Sequence, residues 1–333
     1  MRARPKIKDV ATLAGVSTAT VSRALSTPES VGLATREKVM EAVKATGYRI
    51  NAAARDLRMR RARSILILAP NLSNTFFSRI FAAVQEEASA AGLTVQISDS
   101  RIGRERLLSL GYDGRADGIV LLDGSLDPEV VNGWQLPLIQ LSEWNDAYDA
   151  PRLGIDNRAA AGLAVRHLAA LGHRKVLHVS GPGDNVLALT RQQGFSGTAA
   201  ESGIAPVVFP GDFTMEAGAG AARRWAKLSD RPTAAFCASD ECALGFISEC
   251  VHMGFSVPGD VSVVGFDDID FADRFLPSLT TIRQPREAMG RLAAERVIAM
   301  MGAPAKEPRS RPAPPIHVAA ALVERASTGP AHT

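Results

Sequence analysis

Apolar residues near the N-terminus recur at three- and four-residue steps, which predicts a first short helix. These residues are Ile7, Val10, Leu13 and Ala14. Gly15 is expected to end this helix, because glycine adopts the left-handed conformation without steric cost, and Ser17 is placed to cap a second helix over residues 18–25. A third helix is predicted over residues 34–46, with Gly47 at its end. The pattern therefore predicts helix, tight turn, helix, loop and helix.

The predicted second helix has an outward face of small and hydroxyl side chains. Thr18, Ala19, Ser22 and Arg23 share this face, and the apolar positions of the helix lie on the other side. A short second helix after a tight turn is typical of the helix-turn-helix motif, which places that helix in the major groove of DNA. Small side chains permit close approach to base edges, and Arg23 can pair with a guanine or a phosphate.

The charge of the chain is divided unevenly between this segment and the rest. Residues 1–63 hold 14 Lys and Arg against 5 Asp and Glu, and the remainder holds 24 basic and 30 acidic residues. A basic block on a slightly acidic body indicates binding to a phosphate backbone. By itself such a block could also be a solvated tail, but the helical pattern predicts that it folds.

Beyond residue 63, apolar runs of strand length alternate with helices. The predicted strands are residues 64–70, 93–97, 118–122, 138–141, 175–179, 234–237 and 262–266, and the predicted helices are 76–90, 158–171, 191–203 and 241–253. This alternation predicts parallel sheets covered by helices, and ligands of such sheets bind at the carboxyl ends of the strands. The predicted fold class is α/β, with an all-α headpiece and a body of two doubly wound parallel-sheet subdomains.

Several motifs resemble those of the LacI family of bacterial repressors. The headpiece motifs are residues 8–11, 14–17, 19–25 and 35–39; residues 47–57 resemble the hinge segment of the family; and the body motifs include residues 71–77, 154–157, 258–268 and 279–282. The resemblance covers nearly the whole chain and implies a periplasmic-binding-protein-like body. Two departures are visible: Thr75 stands where the family usually has proline, and residues 101–115 are short for a second helix that Gly111 interrupts.

The resemblance implies a homodimer that binds a palindromic operator in double-stranded DNA. The headpiece residues expected to contact DNA are Lys8, Ser17, Thr18, Ala19, Thr20, Ser22 and Arg23, and the hinge residues are Asn51, Ala54, Arg55 and Leu57. By motif position Leu57 is the apolar wedge in the minor groove, although an ordinary buried leucine is the alternative. The tail from Pro312 contains no leucine heptad, so we expect a dimer, with a dimer of dimers as the alternative.

A polyhydroxylated effector needs bidentate donors, carboxylate acceptors and an aromatic face. Carried over from family positions, and from strand ends and nearby aromatic residues, the expected effector-binding residues are Phe76, Phe77, Asp156, Arg191, Ser239 and Asp267. Core packing is the alternative for the two phenylalanines, and helix capping is the alternative for Asp156 and Ser239. Trp144 and Arg286 are further pocket candidates. Residues 16–25 and 211–218 look most like the nucleoside-responsive branch, so we expect a nucleoside or sugar effector.

The resemblance also implies a division of the chain into segments. We expect a headpiece at 1–50, a hinge and basic linker at 51–63, one body subdomain at 64–160 with 284–316, the other at 161–283 with 317–327, and a disordered tail at 328–333. The three crossings between subdomains are accordingly predicted near residues 160, 283 and 317.

Other classes of protein lack their sequence signals. No GxGxxG, Walker, GxSxG or HExxH motif is present, so we expect neither an enzyme nor a cofactor. Cys237, Cys242 and Cys250 lack metal-ligand spacing and are expected to be buried thiols, so no metal is predicted. A solute-binding or sensor protein of the same fold without operator specificity is the alternative function. No run is long enough to span a membrane or to form a signal peptide, so we expect a cytoplasmic, nucleoid-associated bacterial protein.

Overall fold

The computed structural model describes residues 5–48, 61–303 and 314–332. The chain divides into two compact units, Met1–Ala62 and Arg63–Thr333, which we call the headpiece and the body. The hinge residues Asn51, Ala54, Arg55 and Leu57 lie outside the described residues, as do most of the linker residues before Arg63.

The headpiece contains the three predicted helices, α1 (Ile7–Ala14), α2 (Thr18–Ser26) and α3 (Leu33–Thr46). Their buried apolar side chains form one small core, made of Val10, Ala11, Val21, Ala24, Val39 and Ala42. Gly15 ends α1 with a φ of 65° in the left-handed region, and the Ser17 side chain accepts a hydrogen bond from the backbone of Thr20 (3.1 Å). The predicted helix-turn-helix plan is confirmed.

The first sheet of the body contains six parallel strands in the order β11-β5-β4-β3-β1-β2. Its strands are β1 (Ser64–Ala69), β2 (Thr94–Asp99), β3 (Gly118–Leu121), β4 (Leu138–Leu141), β5 (Arg152–Gly154) and β11 (Ile316–His317), and its helices are α4 (Phe77–Ala90), α5 (Arg104–Leu110), α6 (Pro128–Gly133) and α11 (Arg286–Gly302). Strands β1, β3 and β4 are buried throughout, as expected for central strands covered on both faces. Helix α5 is short, and Gly111 follows it against the side chain of Trp134.

The second sheet has the order β12-β10-β9-β8-β6-β7, in which β12 is antiparallel to β10 and the other pairs are parallel. Its strands are β6 (Lys175–Val179), β7 (Ala205–Phe209), β8 (Ala234–Cys237), β9 (Ser262–Asp267), β10 (Thr280–Arg283) and β12 (Ala321–Val323), and its helices are α7 (Asn157–Ala170), α8 (Val186–Glu201), α9 (Met215–Ala226) and α10 (Asp240–His252). The two sheets confirm the predicted body of two doubly wound subdomains.

The chain passes between the two sheets three times. The passages lie between β5 and α7, between β10 and α11, and between β11 and β12. The predicted boundary near residue 160 falls inside α7, which packs against α8 so closely that a Cβ on Gly194 would lie 2.2 Å from the backbone oxygen of Arg158. The first passage therefore precedes α7.

Two other expectations were wrong. Helix α8 begins at Val186 and not at Arg191, because the Asn185 side chain caps it by accepting hydrogen bonds from two backbone N–H groups. The end of the chain, expected as a disordered tail, is tied to the second subdomain as far as it is described: Gly329 N donates to Ser262 Oγ (3.0 Å), and Ala331 N donates to the backbone oxygen of Leu171 (2.9 Å).

The described residues contain neither a membrane-spanning helix nor a metal-binding cluster. No helix among them is long and apolar enough to cross a bilayer. No group of three or more His, Cys, Asp or Glu side chains among them could hold a metal ion. The three cysteines are buried free thiols, as predicted.

Candidate functional site

The headpiece presents the predicted DNA-contacting residues on its surface. Lys8, Ser17, Thr18, Ala19 and Arg23 are exposed, and Thr20 and Ser22 are half-buried. Residues 18, 19, 22 and 23 share one face of α2 because they lie about one turn apart. The small side chains at the start of α2 leave its backbone accessible, so this face has the shape that close approach to a groove requires.

The second candidate site lies in the body, where the carboxyl ends of strands from both sheets meet. Arg191, in the second turn of α8, is 97% buried. Its Nε donates to Asn157 Oδ1 (2.9 Å), its Nη1 donates to the backbone oxygen of Ala238 (2.6 Å), and its guanidinium lies over the ring of Phe266 at 3.8 Å. These contacts hold the guanidinium in one orientation.

Asp267, the last residue of β9, is the charged partner of Arg191. Its Oδ1 lies 4.0 Å from Arg191 Nη2 and accepts a hydrogen bond from Gln284 Nε2 (2.7 Å). Burial raises the pKa of Asp267 to about 6, although the charge of Arg191 opposes this, and burial lowers the pKa of Arg191. The structure therefore brings together the two residues that the sequence favoured most for the effector.

The aromatic residue beside Arg191 is not one that the sequence indicated. Phe76 and Phe77 are both packed in the core, the alternative left open for them. Phe213 instead lies 5.7 Å from the Arg191 guanidinium, on a loop between β7 and α9 where its own φ is 71°. Its ring covers Gly181, at which a Cβ would lie 2.2 Å from the ring. The strained φ marks Phe213 as a residue held in place by its surroundings.

Asp156 and Ser239 both cap helices. Asp156 Oδ1 accepts from Ala159 N (2.9 Å) at the start of α7, and Ser239 Oγ accepts from Cys242 N (3.2 Å) at the start of α10. The Ser239 hydroxyl also donates to the backbone oxygen of Phe213 (2.8 Å), so it helps to fix the Phe213 loop. The capping alternative is thus what the structure shows for both residues.

Hydrogen bonds to Glu143 and Glu241 join the subdomains, and the sequence indicated neither residue. Glu143, after β4, accepts a hydrogen bond from Asn185 Nδ2 (2.9 Å), and Glu241, in α10, accepts from Thr75 Oγ1 (2.9 Å) and Thr75 N (3.1 Å). Both carboxylates follow strands of their sheet, at the edge where ligands of this fold bind. The position of Glu143 beside Trp144 was the available signal, but no periodicity distinguishes it from a solvated loop residue.

The remaining two candidates lie near the passages between the sheets. Trp144 lines a cavity of about 190 Å³ and stacks under the Arg152 guanidinium (5.5 Å). Arg286 lines another of about 550 Å³, where its Nη2 donates to Asp270 Oδ1 (3.0 Å) and its Nη1 to the backbone oxygen of Phe76 (3.4 Å). Arg286 therefore connects α11 to both subdomains.

A helix-turn-helix headpiece with a basic N-terminal segment, followed by a two-subdomain body with a charged cleft, defines a ligand-responsive DNA-binding regulator. The model of bacterial regulatory proteins of the lacI family matches residues 6–51, and the model of a periplasmic binding protein-like domain matches residues 165–328. The chain is 36% identical to the HTH-type transcriptional repressor CytR of Escherichia coli (strain K12), over 86% of this chain and 87% of that protein.

Two further similarities agree with this assignment. The chain is 33% identical to the HTH-type transcriptional repressor PurR of Photobacterium profundum, over 87% of this chain and 90% of that protein. A crystal structure of the lac repressor dimer bound to operator and the anti-inducer ONPF is 27% identical, with a TM-score of 0.85, over 98% of this chain and 100% of that chain. The chain belongs to the LacI family; it is a DNA-binding transcriptional repressor controlled by a small molecule, and it is not an enzyme.

Proposed function

We propose that this chain acts in the bacterial nucleoid as a homodimer on a palindromic operator, and that a nucleoside or sugar controls its affinity for DNA. The observation that carries the effector part is the buried pair of Arg191 and Asp267, at 4.0 Å. A fixed guanidinium and a carboxylate with spare acceptor positions match the hydroxyl groups of a ribose or hexose ring. Phe213 supplies an aromatic face beside them.

The nucleoside is the favoured effector because residues 16–25 and 211–218 resemble the nucleoside-responsive branch of the family. The second of these segments contains Phe213, which lies beside Arg191. A planar base stacks well on an aromatic ring. A pentose or hexose is the second candidate, since Arg191 and Asp267 would serve its hydroxyl groups equally well.

The proposed mechanism links the cleft to the hinge. Ligand binding changes the contacts between the subdomains, including the hydrogen bonds from Asn185 to Glu143 and from Thr75 to Glu241. A shift of the first subdomain separates or aligns the two hinge segments of a dimer. The coupling is reciprocal, so that the effector changes operator affinity by the factor by which operator changes effector affinity.

The test is selection of genomic DNA fragments by the purified full chain, with and without a panel of nucleosides and sugars. We expect one palindromic site to be enriched and a single compound to change its occupancy. If no site is enriched under any condition, the chain is not a sequence-specific repressor, and the solute-binding alternative gains support.

The hinge part of the proposal has its own variant. Leu57→Ala should weaken binding to the selected operator by roughly tenfold or more while binding to random DNA changes little, because only a specific complex uses an apolar wedge. Arg58→Ala serves as the control, since loss of a phosphate contact weakens both kinds of binding. Equal losses on both DNAs in the Leu57→Ala variant would remove the wedge role.

A further inference from the structure

The carboxylate of Glu143 lies where the two subdomains meet. One oxygen accepts from Asn185 Nδ2 (2.9 Å) at the start of α8, and the other accepts from Gly124 N (3.3 Å) after β3. Gly124 approaches this closely because it has no side chain: a Cβ there would lie 2.5 Å from the backbone oxygen of Trp144. Elements of both sheets therefore position Glu143 at the carboxyl ends of the strands.

The amide of Asn185 is fixed in one orientation. Its Oδ1 accepts hydrogen bonds from Leu187 N (2.9 Å) and Ala188 N (3.2 Å), so its Nδ2 is the atom that faces Glu143. The amide and the carboxylate consequently present a donor and an acceptor side by side, next to the helix that carries Arg191.

Negative charge exceeds positive charge in this region. Three carboxylates act on the buried guanidinium of Arg191, and they belong to Asp267, Glu143 and Asp240. The other buried arginine close to Asp267 is Arg286, whose charge is already paired with Asp270 (3.0 Å). Burial raises the pKa of Glu143, which shows that its charge is poorly solvated.

The carboxylates differ in how much acceptor capacity the protein uses. A carboxylate offers about four acceptor positions. Among the described residues, Asp240 accepts from Ile269 N and Thr281 Oγ1 and is fully enclosed, whereas Glu143 and Asp267 stand at the cleft with two donors and one donor. Further negative charge placed beside them would be desolvated without compensation, which is unfavourable.

We infer that the effector is an uncharged molecule rich in N–H and O–H donors, that Glu143 accepts a hydrogen bond from it, and that the site excludes phosphorylated and acidic analogues. A ligand N–H or O–H brings partial positive charge to Glu143, whereas a phosphate brings negative charge. This inference rests on the proposed function and narrows its ligand class from nucleosides and sugars to their unphosphorylated forms.

The experiment is titration calorimetry on the full chain with matched pairs of probes. The pairs are cytidine and its 5′-monophosphate, adenosine and its 5′-monophosphate, ribose and ribose 5-phosphate, and glucose and glucose 6-phosphate. At least one uncharged member should bind, and its Kd should be lower than that of its phosphorylated partner by roughly tenfold or more. Glu143→Gln keeps the size of the side chain and removes its charge, so the gap should shrink. Glu201→Gln, at the exposed end of α8, should leave it unchanged.

Three results would overturn the inference: a phosphorylated probe that binds as tightly as its partner, a panel in which no uncharged probe binds, or a gap that is equal in wild type and Glu143→Gln. The first two are read from the wild-type chain and do not depend on the variant folding. Operator binding without any probe is measured in the same samples. Its absence would contradict the proposed function, whereas a result against the inference with intact operator binding would leave that function standing.

Discussion

At the scale of single residues, Asp267 combines several features that a purely structural aspartate rarely has. It is buried, its φ of 126° lies in a region that L residues seldom adopt, and its pKa is raised to about 6 by burial. A buried charge and a strained backbone both cost free energy, and both persist where function requires them. The Arg191 guanidinium at 4.0 Å and the Gln284 amide hold the carboxylate in place.

Asp267→Asn should therefore abolish the response to effector and preserve operator binding. Asparagine keeps an acceptor for Gln284 and tolerates the positive φ, but it lacks the second acceptor oxygen and the charge that face the ligand. We expect effector affinity to fall by roughly 100-fold, about 2.7 kcal/mol, in calorimetry. Asp273→Asn, at an exposed position, is the control. An intact ligand response in Asp267→Asn would show that the effector binds elsewhere.

Asp240 makes stability depend on pH. Burial raises the pKa of Asp240 from 3.8 to about 7, assisted by the charge of Asp267. Because the protonated form is favoured in the folded state, the contribution of this group to stability is fully present below about pH 4 and is lost as the pH rises through about 7. The carboxyl group receives hydrogen bonds from Ile269 N and Thr281 Oγ1, and an asparagine can satisfy the same neighbours.

Asp240→Asn should accordingly reduce the fall in thermal unfolding temperature between about pH 4 and about pH 7, and should raise that temperature at pH 7. Circular dichroism at a series of pH values gives the comparison with wild type. Asp184→Asn, on the surface, provides the matched control. If wild type and Asp240→Asn lose stability in parallel over this range, the buried carboxyl is not the titrating group.

At the scale of secondary-structure elements, α9 and α10 pack together through glycine. A Cβ on Gly218 would lie 1.9 Å from the backbone oxygen of Cys242, and one on Gly245 would lie 2.0 Å from that of Met215. Backbone cannot move aside as a flexible side chain can, so these glycines set the distance between the two helices. The helices flank Phe213 and Ser239, which connects their packing to the effector site.

Gly218→Ala should destabilise the body by about 2 kcal/mol, because the added methyl group forces the helices apart. Gly220→Ala in the same helix should be neutral or stabilising by about 0.5 kcal/mol, since the nearest atom to its Cβ is 3.9 Å away and alanine favours helix. Urea unfolding of both variants measures the difference. Equal stabilities would mean that the helices separate freely.

The sequence predicted the elements well because each has a local signal. Gly15 and Ser17 mark the turn before α2, and buried runs mark β1 and β9, all as the structure has them. The start of α8 was misplaced because the cap is an asparagine, Asn185, preceding residues with no helical periodicity. Where local signals were absent, the prediction failed.

The site was only partly predictable for a related reason. Arg191 and Asp267 could be carried over by motif, whereas Glu143 gains its meaning from Asn185, which is 42 residues away in the sequence. Phe213 likewise reaches Arg191 through a loop conformation that no pattern encodes. Capping by Asp156 and Ser239 was predicted as an alternative because capping is local.

At the scale of the whole molecule, one loop of the body exposes large apolar side chains. Phe271 is 55% exposed and Leu276 is 87% exposed. The loop is fixed to the body, since its Asp270 pairs with Arg79 of α4 (3.0 Å) and with Arg286. Exposed apolar residues with a charged rim indicate a protein interface. Since α4 is the helix expected at the dimer contact, we assign this loop to the same contact, with a second copy of the chain as partner.

A palindromic operator requires two headpieces, so the dimer contact and operator affinity should be lost together. Leu276→Asp places a charge in the proposed contact and, because the side chain is exposed, leaves the fold of the monomer intact. We expect sedimentation to give the mass of one chain in place of two, and operator affinity to fall by roughly 100-fold, since the second headpiece is no longer tethered. Effector binding should not change. Val208→Asp, at an exposed position on β7, should remain a dimer with full affinity. A dimer mass for Leu276→Asp would place the contact elsewhere, and a wild-type mass of four chains would show that the absence of a leucine heptad does not limit this chain to a dimer.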